Sequence, residues 1–368
     1  MRPYIHPDFL LQTEAARRLY HGFAAQEPIF DFHCHLSPQE IREDARFETI
    51  TQVWLGGDHY KWRLMRANGV PEELITGDGD PYEKFLAWAR TVEKSVGNPL
   101  YAWTHMELKN YFGVEELLSE KTAPAIWEAC NAKLREESFS ARGLICQSNV
   151  KALCTTDDPA DTLEHHAALA ADGSFPVKVL PAFRPETALH PEQVNFRDWV
   201  DRLGEATGRK IAALEDLEEA LAQRAAYFQE RGCLIADQSL QSPDFTAGTR
   251  QEAEAAFRKA LAGEALSPAE QNAYQTQLLL SLGRLYKKMG FVMQLHFGVL
   301  RNTNSRMFPR TGPDAGFDCV GDGVSAASMA ALFDALDKTY ELPPTVIYSL
   351  NACDDDKLAS VLGAFQQG

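Results

Sequence analysis

The stretch PIFDFHCHLSP, residues 28–38, decides the fold, because it has the apolar run and the polar end of a buried parallel strand. Side chains alternate between the two faces of a strand, so His33 and His35 point the same way and Cys34 points the opposite way. Asp31 shares the histidine face one step earlier. The two imidazoles, about 7 Å apart, are either satisfied core histidines or ligands of one divalent ion. Because the pair ends the first strand of a βα series, we expect a metal site.

Apolar runs of this kind recur along the chain and alternate with helical patterns, which predicts βα units around a parallel sheet. One helix is predicted over 267–290, with a capping box formed by Ser267 and Glu270. Pro268 and Gly290 mark its first residue and its end. The predicted strands are 28–36, 150–158, 176–185, 233–240, 290–298 and 345–351. The alternation is typical of a TIM-barrel-like (β/α)8 fold.

Two features depart from a regular eight-stranded barrel. The long, mostly helical stretch between the first two predicted strands predicts an inserted subdomain rather than a loop. We therefore expect an N-terminal segment with the first strand (1–45), a helical insertion subdomain (46–145) and the remaining βα units (146–368). The sequence also ends soon after the sixth strand, whereas two more βα units need on the order of 60 further residues. We expect a barrel truncated after strand six, without strands seven and eight.

Composition narrows the class of protein. The chain has 368 residues and a net charge of −16, which argues against nucleic acid as a partner because phosphate binding needs a basic patch. No run approaches the ~18 apolar residues of a membrane span, and the N-terminus lacks the apolar core of a signal peptide. The seven cysteines form no C-x-x-C pair, which suits reduced thiols. We expect a cytoplasmic protein with a small-molecule partner and no membrane, and its open strand edges leave room for a homo-oligomer.

The histidine pair at the end of strand one is typical of the amidohydrolase superfamily of metal-dependent barrels. The wider sequence resembles the uronate isomerase family (glucuronate/galacturonate isomerase), and the resemblance covers the chain from residue 1 to residue 368. The motifs that carry it are DFLLQTEAARRLYH (8–21), PIFDFHCHLSPQEI (28–41), WLGGDHYKWRLMRANGV (54–70), GNPLYAWTHMEL (97–108), TTDDPADTLEHH (155–166), FPVKVLPAFRP (175–185) and QLHFGVLRNTN (294–304).

The resemblance implies a barrel of the metal-dependent hydrolase type and an aldose–ketose isomerase. Its reaction interconverts D-glucuronate and D-fructuronate, or D-galacturonate and D-tagaturonate, as a proton moves between C2 and C1 through a cis-enediolate. Such chemistry needs a base, an acid and positive charge near the developing oxyanion. One divalent ion supplies that charge; zinc is the first expectation, and manganese, iron or cobalt also suit imidazole ligands.

The resemblance also implies roles for particular residues. They are His33 and His35 as metal ligands, His59, Tyr60 and His296 as catalytic residues, and Arg184, Arg301 and Asn302 as substrate-binding residues. Without it, a His-Tyr dipeptide is more often a surface or packing feature, and a lone strand histidine such as His296 is more often part of the core. Arg184, at the end of strand three, suits a bidentate carboxylate clamp or a surface salt bridge.

The family's strand-eight aspartate, followed two positions later by an arginine, has no counterpart in this sequence. The predicted metal site therefore has two imidazoles and no carboxylate. Two other interpretations stay open: a metal-dependent hydrolase in which Asp237 of strand four bridges two ions, and a catalytically incomplete fragment of the isomerase. One ion per chain fits the isomerase and two fit most hydrolases. Asp157 and Asp158, at the end of strand two, are weaker site candidates.

Overall fold

The computed structural model describes residues 3–240, 245, 248–322 and 324–366. Its β-strands are β1 (Ile29–Asp31), β2 (Val150–Cys154), β3 (Lys178–Leu180), β4 (Ile235–Leu240), β5 (Val292–Phe297), β6 (Val299–Leu300), β7 (Cys319–Val320) and β8 (Thr345–Tyr348). The six predicted strands are confirmed, but the structure makes them shorter because the polar residues at their ends belong to the following loops. The short β6–β7 pair was not predicted.

The strands run parallel in chain order, apart from one hairpin. One three-stranded sheet has the order β1-β2-β3, a second has β4-β5-β8, and β6 and β7 form an antiparallel pair. Single bridges from Phe183 to Asp157 and to Ala236 join the two parallel sheets. Although β1 pairs only with β2 among the described residues, the loop after it returns to β5, because Gln294 Nε2 donates to the Phe32 carbonyl at 3.0 Å. The strand series therefore curves back on itself.

Helices fill the connections between the strands. They are α1 (Glu14–Gly22), α2 (Pro38–Glu43), α3 (Ile50–Leu55), α4 (His59–Ala67), α5 (Pro81–Glu93), α6 (Pro99–Asn110), α7 (Ala123–Leu134), α8 (Ala141–Gln147), α9 (Glu164–Ala171), α10 (Phe196–Thr207), α11 (Leu214–Gln229), α12 (Arg250–Leu261), α13 (Pro268–Met289), α14 (Phe308–Thr311), α15 (Ala326–Asp337) and α16 (Asp355–Ala364). The capping box predicted for α13 is confirmed, with Ser267 and Glu270 bonded reciprocally and Gly290 in the left-handed conformation at φ 72°. None of the described helices has the length and apolar character needed to cross a membrane.

The buried apolar side chains form two large clusters. One lies within residues 50–139, on helices α3 to α7 between β1 and β2. The other lies within residues 163–361 and surrounds β4, β5 and the helices that follow them. Hence the helical segment between the first two strands has a hydrophobic core of its own, while the second cluster supports the strands that carry the polar site described below.

The alternation of side chains along β5 separates this second core from the site. Met293, Leu295 and Phe297 are almost completely buried in the cluster. Gln294 and His296, which alternate with them, contact polar groups of the neighbouring strands. The apolar face thereby holds β5 against the helices and leaves its polar face directed at the ends of β1, β4 and β8.

Replacing Trp88 by alanine is expected to destabilise the helical cluster strongly. Trp88 lies on α5, is 0% exposed and packs within the residue 50–139 core. Removing so large a buried side chain costs about 3–5 kcal/mol of unfolding free energy, to be measured by denaturant titration. Trp103→Ala on α6, where the side chain is 55% exposed, is the matched control and should change stability by no more than about 0.5 kcal/mol. Equal effects of the two substitutions would contradict the burial argument.

Candidate active site

Three side chains from separate parts of the chain meet at the strand ends. The ligand atoms of His33, Asp237 and His296 all lie within 4.8 Å of one another, which is the spacing of a metal-binding cluster. His296 Nε2 is 2.7 Å from Asp237 Oδ1, and His33 Nδ1 is 3.7 Å from Asp237 Oδ2. The imidazole centroids of His33 and His296 are 4.6 Å apart. Two ring nitrogens and a carboxylate therefore converge from the loop after β1, from β4 and from β5.

The predicted histidine pair lies beyond its strand rather than inside it. Because β1 ends at Asp31, both imidazoles belong to the following loop, where their centroids are 5.1 Å apart and their planes nearly perpendicular at 86°. His35 lies beside the three-residue cluster and is not one of its members. Its Nδ1 is 3.3 Å from Thr156 Oγ1, at the end of β2.

Asp237 was predicted at the end of strand four as a weaker site candidate and as the possible bridging ligand of a hydrolase. The predicted metal site of the isomerase had no carboxylate. In the structure the Asp237 carboxylate is 0% exposed in the middle of β4 and pairs with both histidines of the cluster. The available signal was an acid within the apolar run CLIADQSL (233–240), since a buried carboxylate needs compensating partners.

The cluster has the chemistry of a site for a divalent cation. Asp237 Oδ1 and His296 Nε2 are buried and close together, yet neither has a hydrogen-bond partner in acceptable geometry. Unsatisfied buried polar atoms are rare and call for a ligand or ion. Two nitrogens and one oxygen also match the three protein ligands of a catalytic metal centre with an open position. These residues therefore fit the metal ion that the sequence analysis expected.

Electrostatics favour the protonation states that a metal requires. Burial lowers the pKa of His33 to about 4, although the Asp237 carboxylate opposes the shift, so its imidazole is neutral at pH 7. Burial by itself raises the pKa of the Asp237 carboxyl, but the neighbouring His296 and Arg184 outweigh it and bring the pKa below its usual value. A neutral imidazole and an ionised carboxylate are the forms that bind a metal.

Arg184 joins the cluster through Asp237. It follows β3, and its Nη1 forms a short ion pair with Asp237 Oδ2 while its Nη2 lies 3.3 Å from Glu186 Oε2. The Ser239 backbone amide also donates to Glu186 Oε2, at 3.0 Å. The guanidinium is thus fixed next to the candidate metal ligands and supplies positive charge there.

Two further residues at the site, Tyr348 and Gln294, were not predicted from the sequence. The phenol ring of Tyr348, on β8, stacks on the His296 imidazole with centroids 4.1 Å apart and planes 4° apart. The Tyr348 hydroxyl donates to Gln294 Oε1 at 3.1 Å, and Gln294 is 1% exposed. Gln294 shares the face of His296, two residues earlier on β5, and that spacing was the signal that could have found it.

The predicted residues Arg301 and Asn302, between β5 and β8, are not members of this cluster, and neither are His59 and Tyr60 on α4. Arg301 Nη1 pairs with Asp314 at 3.1 Å and with Asp318 at 2.9 Å, and the Asn302 amide donates to the Asp318 carboxylate at 2.7 Å. Among the described residues these two make no ion pair or hydrogen bond with the cluster. Asp314 nevertheless contributes to the electrostatic environment of His35, so the loop passes near the site.

The same loop connects the site to α4. His59 and Tyr60 open that helix with ring centroids 4.5 Å apart, and Tyr60 is 62% exposed. A Cβ added to Gly316 of the loop would lie 2.8 Å from the His59 carbonyl. Arg66 Nη1, also on α4, donates to the Ala315 carbonyl. The loop is therefore packed against the helix that carries His59 and Tyr60.

Comparisons with known proteins agree with one another. The family model for glucuronate isomerase matches residues 1–368. A uronate isomerase of Caldicellulosiruptor saccharolyticus is 49% identical over 368 residues, which is 100% of this chain and 79% of that protein. A uronate isomerase of Shouchella clausii is 49% identical over 367 residues, covering 100% of this chain and 78% of that one.

Solved structures give the same relationship. The crystal structure of a uronate isomerase from Thermotoga maritima matches with a TM-score of 0.92 and 33% identity, over 98% of this chain and 79% of that one. A glucuronate isomerase from Caulobacter crescentus matches with a TM-score of 0.87 and 26% identity, over 95% of this chain and 75% of that one.

Proposed function

The chain belongs to the uronate isomerase family, and we propose that His33, Asp237 and His296 hold the divalent metal ion of its active site. It has the amidohydrolase-like α/β fold of that family and is an aldose–ketose isomerase acting on a uronate. The observation that carries the metal proposal is the buried, unsatisfied atom pair of Asp237 Oδ1 and His296 Nε2 beside the His33 imidazole. His35 remains a proposed ligand from the neighbouring position.

The substrate proposed for this site is D-glucuronate or D-galacturonate. Isomerisation to the corresponding ketose acid moves a proton between C2 and C1 through a cis-enediolate, which develops negative charge on oxygen. A divalent ion, when bound, supplies positive charge and orients the substrate oxygens. Arg184 adds a fixed cation next to the same place and is the proposed clamp for the substrate carboxylate.

Proton transfer is assigned to residues outside the metal cluster. The sequence predicted a catalytic role for His296. Because its Nε2 faces Asp237 within the candidate metal cluster, the ring suits a metal ligand better than a general base. His59 and Tyr60 remain as the proposed proton-transfer groups, and the packing of the loop residues Ala315 and Gly316 against their helix supports this proposal.

Anion binding has to overcome the charge of the whole chain. With a net charge of −16, the surface repels a carboxylate substrate, so recognition depends on local arginines. Arg301 and Asn302 are proposed to contact the substrate from the loop above the site. Their present contacts with Asp314 and Asp318 keep them on that loop and leave Arg301 about half exposed at 47%.

The predicted domain boundaries, the metal identity, the cellular location and the oligomeric state remain proposals. The division into 1–45, 46–145 and 146–368 is supported by the separate apolar cluster of residues 50–139. The comparisons do not confirm the expected truncation after strand six. Zinc, a cytoplasmic location and a homo-oligomer are proposals. The hydrolase alternative is not favoured, since the matches are to uronate isomerases across the whole chain.

The direct test is metal content together with ketose formation. The purified chain is expected to bind about one equivalent of Zn²⁺ or Mn²⁺, to lose turnover of D-glucuronate when a chelator removes the ion, and to regain it when the ion returns. Comparing D-galacturonate in the same assay gives the preferred hexuronate. Full turnover by metal-free protein would refute the proposal, and two bound ions with hydrolysis of an ester or amide would favour the hydrolase.

A further inference from the structure

Gln294, on β5, forms a bridge between the loop after β1 and the strand β8. Its Nε2 donates to the Phe32 carbonyl at 3.0 Å, and its Oε1 accepts from the Tyr348 hydroxyl at 3.1 Å. Because the carboxamide oxygen can only accept, the Tyr348 hydroxyl is the donor of this bond. One carboxamide therefore joins the loop after β1 to β5 and β8, with its donor and its acceptor each satisfied.

The ring of Tyr348 contacts both imidazoles of the candidate metal site. His296 and Tyr348 are register partners of β5 and β8, which places their side chains next to each other on one face and explains the parallel stack. The His33 ring lies 5.5 Å from the same phenol, inclined by 43°. The phenol ring of Tyr348 therefore packs against both imidazoles.

The bridge matters because His33 reaches the cluster on a loop. β1 pairs with β2 alone among the described strands, while Asp237 and His296 stand on β4 and β5 of the other sheet. Within the described residues, the Phe32–Gln294 bond is the hydrogen bond that ties segment 32–35 to that sheet. The adjacent bonds of the loop, from Cys34 and His35, go to β2 and its end. Gln294 thus lies where it can hold the backbone of the His33 loop beside the strand that carries His296.

We propose that Gln294 and Tyr348 are positioning residues, which hold the imidazoles of His33 and His296 at the separation and orientation that a metal ion needs. The inference rests on the proposed metal site but concerns residues outside its proposed ligand set. Groups that orient metal-binding histidines typically change metal affinity about 10- to 100-fold when they are removed. The bridge and the stacked ring act on the two histidines by separate contacts, so their effects can be measured separately.

The test uses Co²⁺ as a spectroscopic probe of the full chain. Affinity is measured by competition with a chelating dye, and the visible absorption of bound Co²⁺ reports ligand geometry. Tyr348→Leu, which removes the stack and the hydroxyl, is expected to weaken Co²⁺ binding about 10- to 100-fold and to alter the spectrum. Gln294→Met and Tyr348→Phe nearly keep the side-chain volume; the first removes both bonds of the bridge, and the second removes only the Tyr348–Gln294 bond. Each should weaken binding by a smaller factor, Gln294→Met more than Tyr348→Phe, and the double mutant should lose little more than Gln294→Met alone.

Tyr340→Leu is the matched control, since that side chain is 81% exposed, and its Co²⁺ affinity and spectrum should equal those of the unaltered chain. If Tyr348→Leu does not fold, the volume-conserving variants decide the outcome. Affinities and spectra of folded Gln294→Met and Tyr348→Phe that match the unaltered chain would overturn the inference and leave the metal site standing. Absence of Co²⁺ binding by the unaltered chain itself would overturn the metal site, and the inference with it.

Discussion

Replacing Asp237 by asparagine is expected to abolish most metal binding and to lower uronate turnover by about 10³- to 10⁴-fold. Asp237 is the acid of the three-residue cluster, is 0% exposed, and lies within 3.7 Å of ring nitrogens from both histidines. The neutral amide keeps the size of the side chain but removes the charge that attracts a cation. The loss of metal-dependent charge stabilisation, several kcal/mol, corresponds to this drop in rate. Chelator competition and the ketose assay measure the two effects on one sample.

A folded variant is needed for this result to be informative. Asp237→Asn leaves Arg184 with Glu186 as its remaining carboxylate partner, so the unfolding transition of the variant has to be compared with that of the unaltered chain. Asp78→Asn, at an exposed acid before α5, controls for the change in net charge and should leave both measurements unchanged. Normal metal affinity in folded Asp237→Asn would remove Asp237 from the proposed ligand set.

The His59→Asn variant is expected to lower turnover by about 100-fold while leaving Co²⁺ affinity unchanged. General acid–base groups contribute at least about this factor. His59 is the first residue of α4, and Asp58 holds that helix start by accepting from the amides of Tyr60 and Lys61 at 3.0 Å. Asparagine keeps a polar side chain at the same place without a titrating group. The proposed role thus predicts an effect on the rate of proton transfer and none on the metal.

The control for this variant is His21→Asn. His21 is an exposed histidine of α1 that pairs with Asp8 at 2.9 Å, so its replacement should alter neither turnover nor metal affinity. Exchange of the substrate C2 proton with solvent gives a second readout, which should slow in step with turnover if His59 transfers protons. Unchanged turnover in His59→Asn would leave His59 as a packing residue, and a parallel loss of Co²⁺ binding would make it part of the metal site instead.

Local patterns predicted the elements of the fold well. The six strands were located by apolar runs, and the limits of α13 by Ser267, Glu270 and Gly290. These signals act between residues that are close in sequence, through side-chain periodicity and the capping of helix ends. The lengths of the strands were less predictable, because pairing with a neighbour decides where a strand ends. β1 stops at Asp31 and leaves His33 and His35 in a loop for this reason.

The partners of the histidines depended on contacts between distant parts of the chain. The sequence predicted His33, His35 and His296 as site residues and assigned no carboxylate to the metal. Asp237 enters the cluster because β4 lies beside β5, and Tyr348 stacks on His296 because β8 pairs with β5 in that register. No local pattern carries this information.

The sequence by itself determined three things: the alternation of buried strands and capped helices, the family resemblance, and the histidines near the strand ends. Each of them depends on the order and spacing of residues along one segment. The tertiary structure alone decided which side chains share the site. Asp237, Gln294 and Tyr348 lie beside these histidines because the loop after the first strand folds back onto the fifth. There Gln294 bridges Phe32 and Tyr348, the Tyr348 ring stacks on His296, and Asp237 pairs with His33 and His296. Burial removes water as the partner of these polar groups, so that only neighbours brought together by packing can compensate their charges and hydrogen bonds.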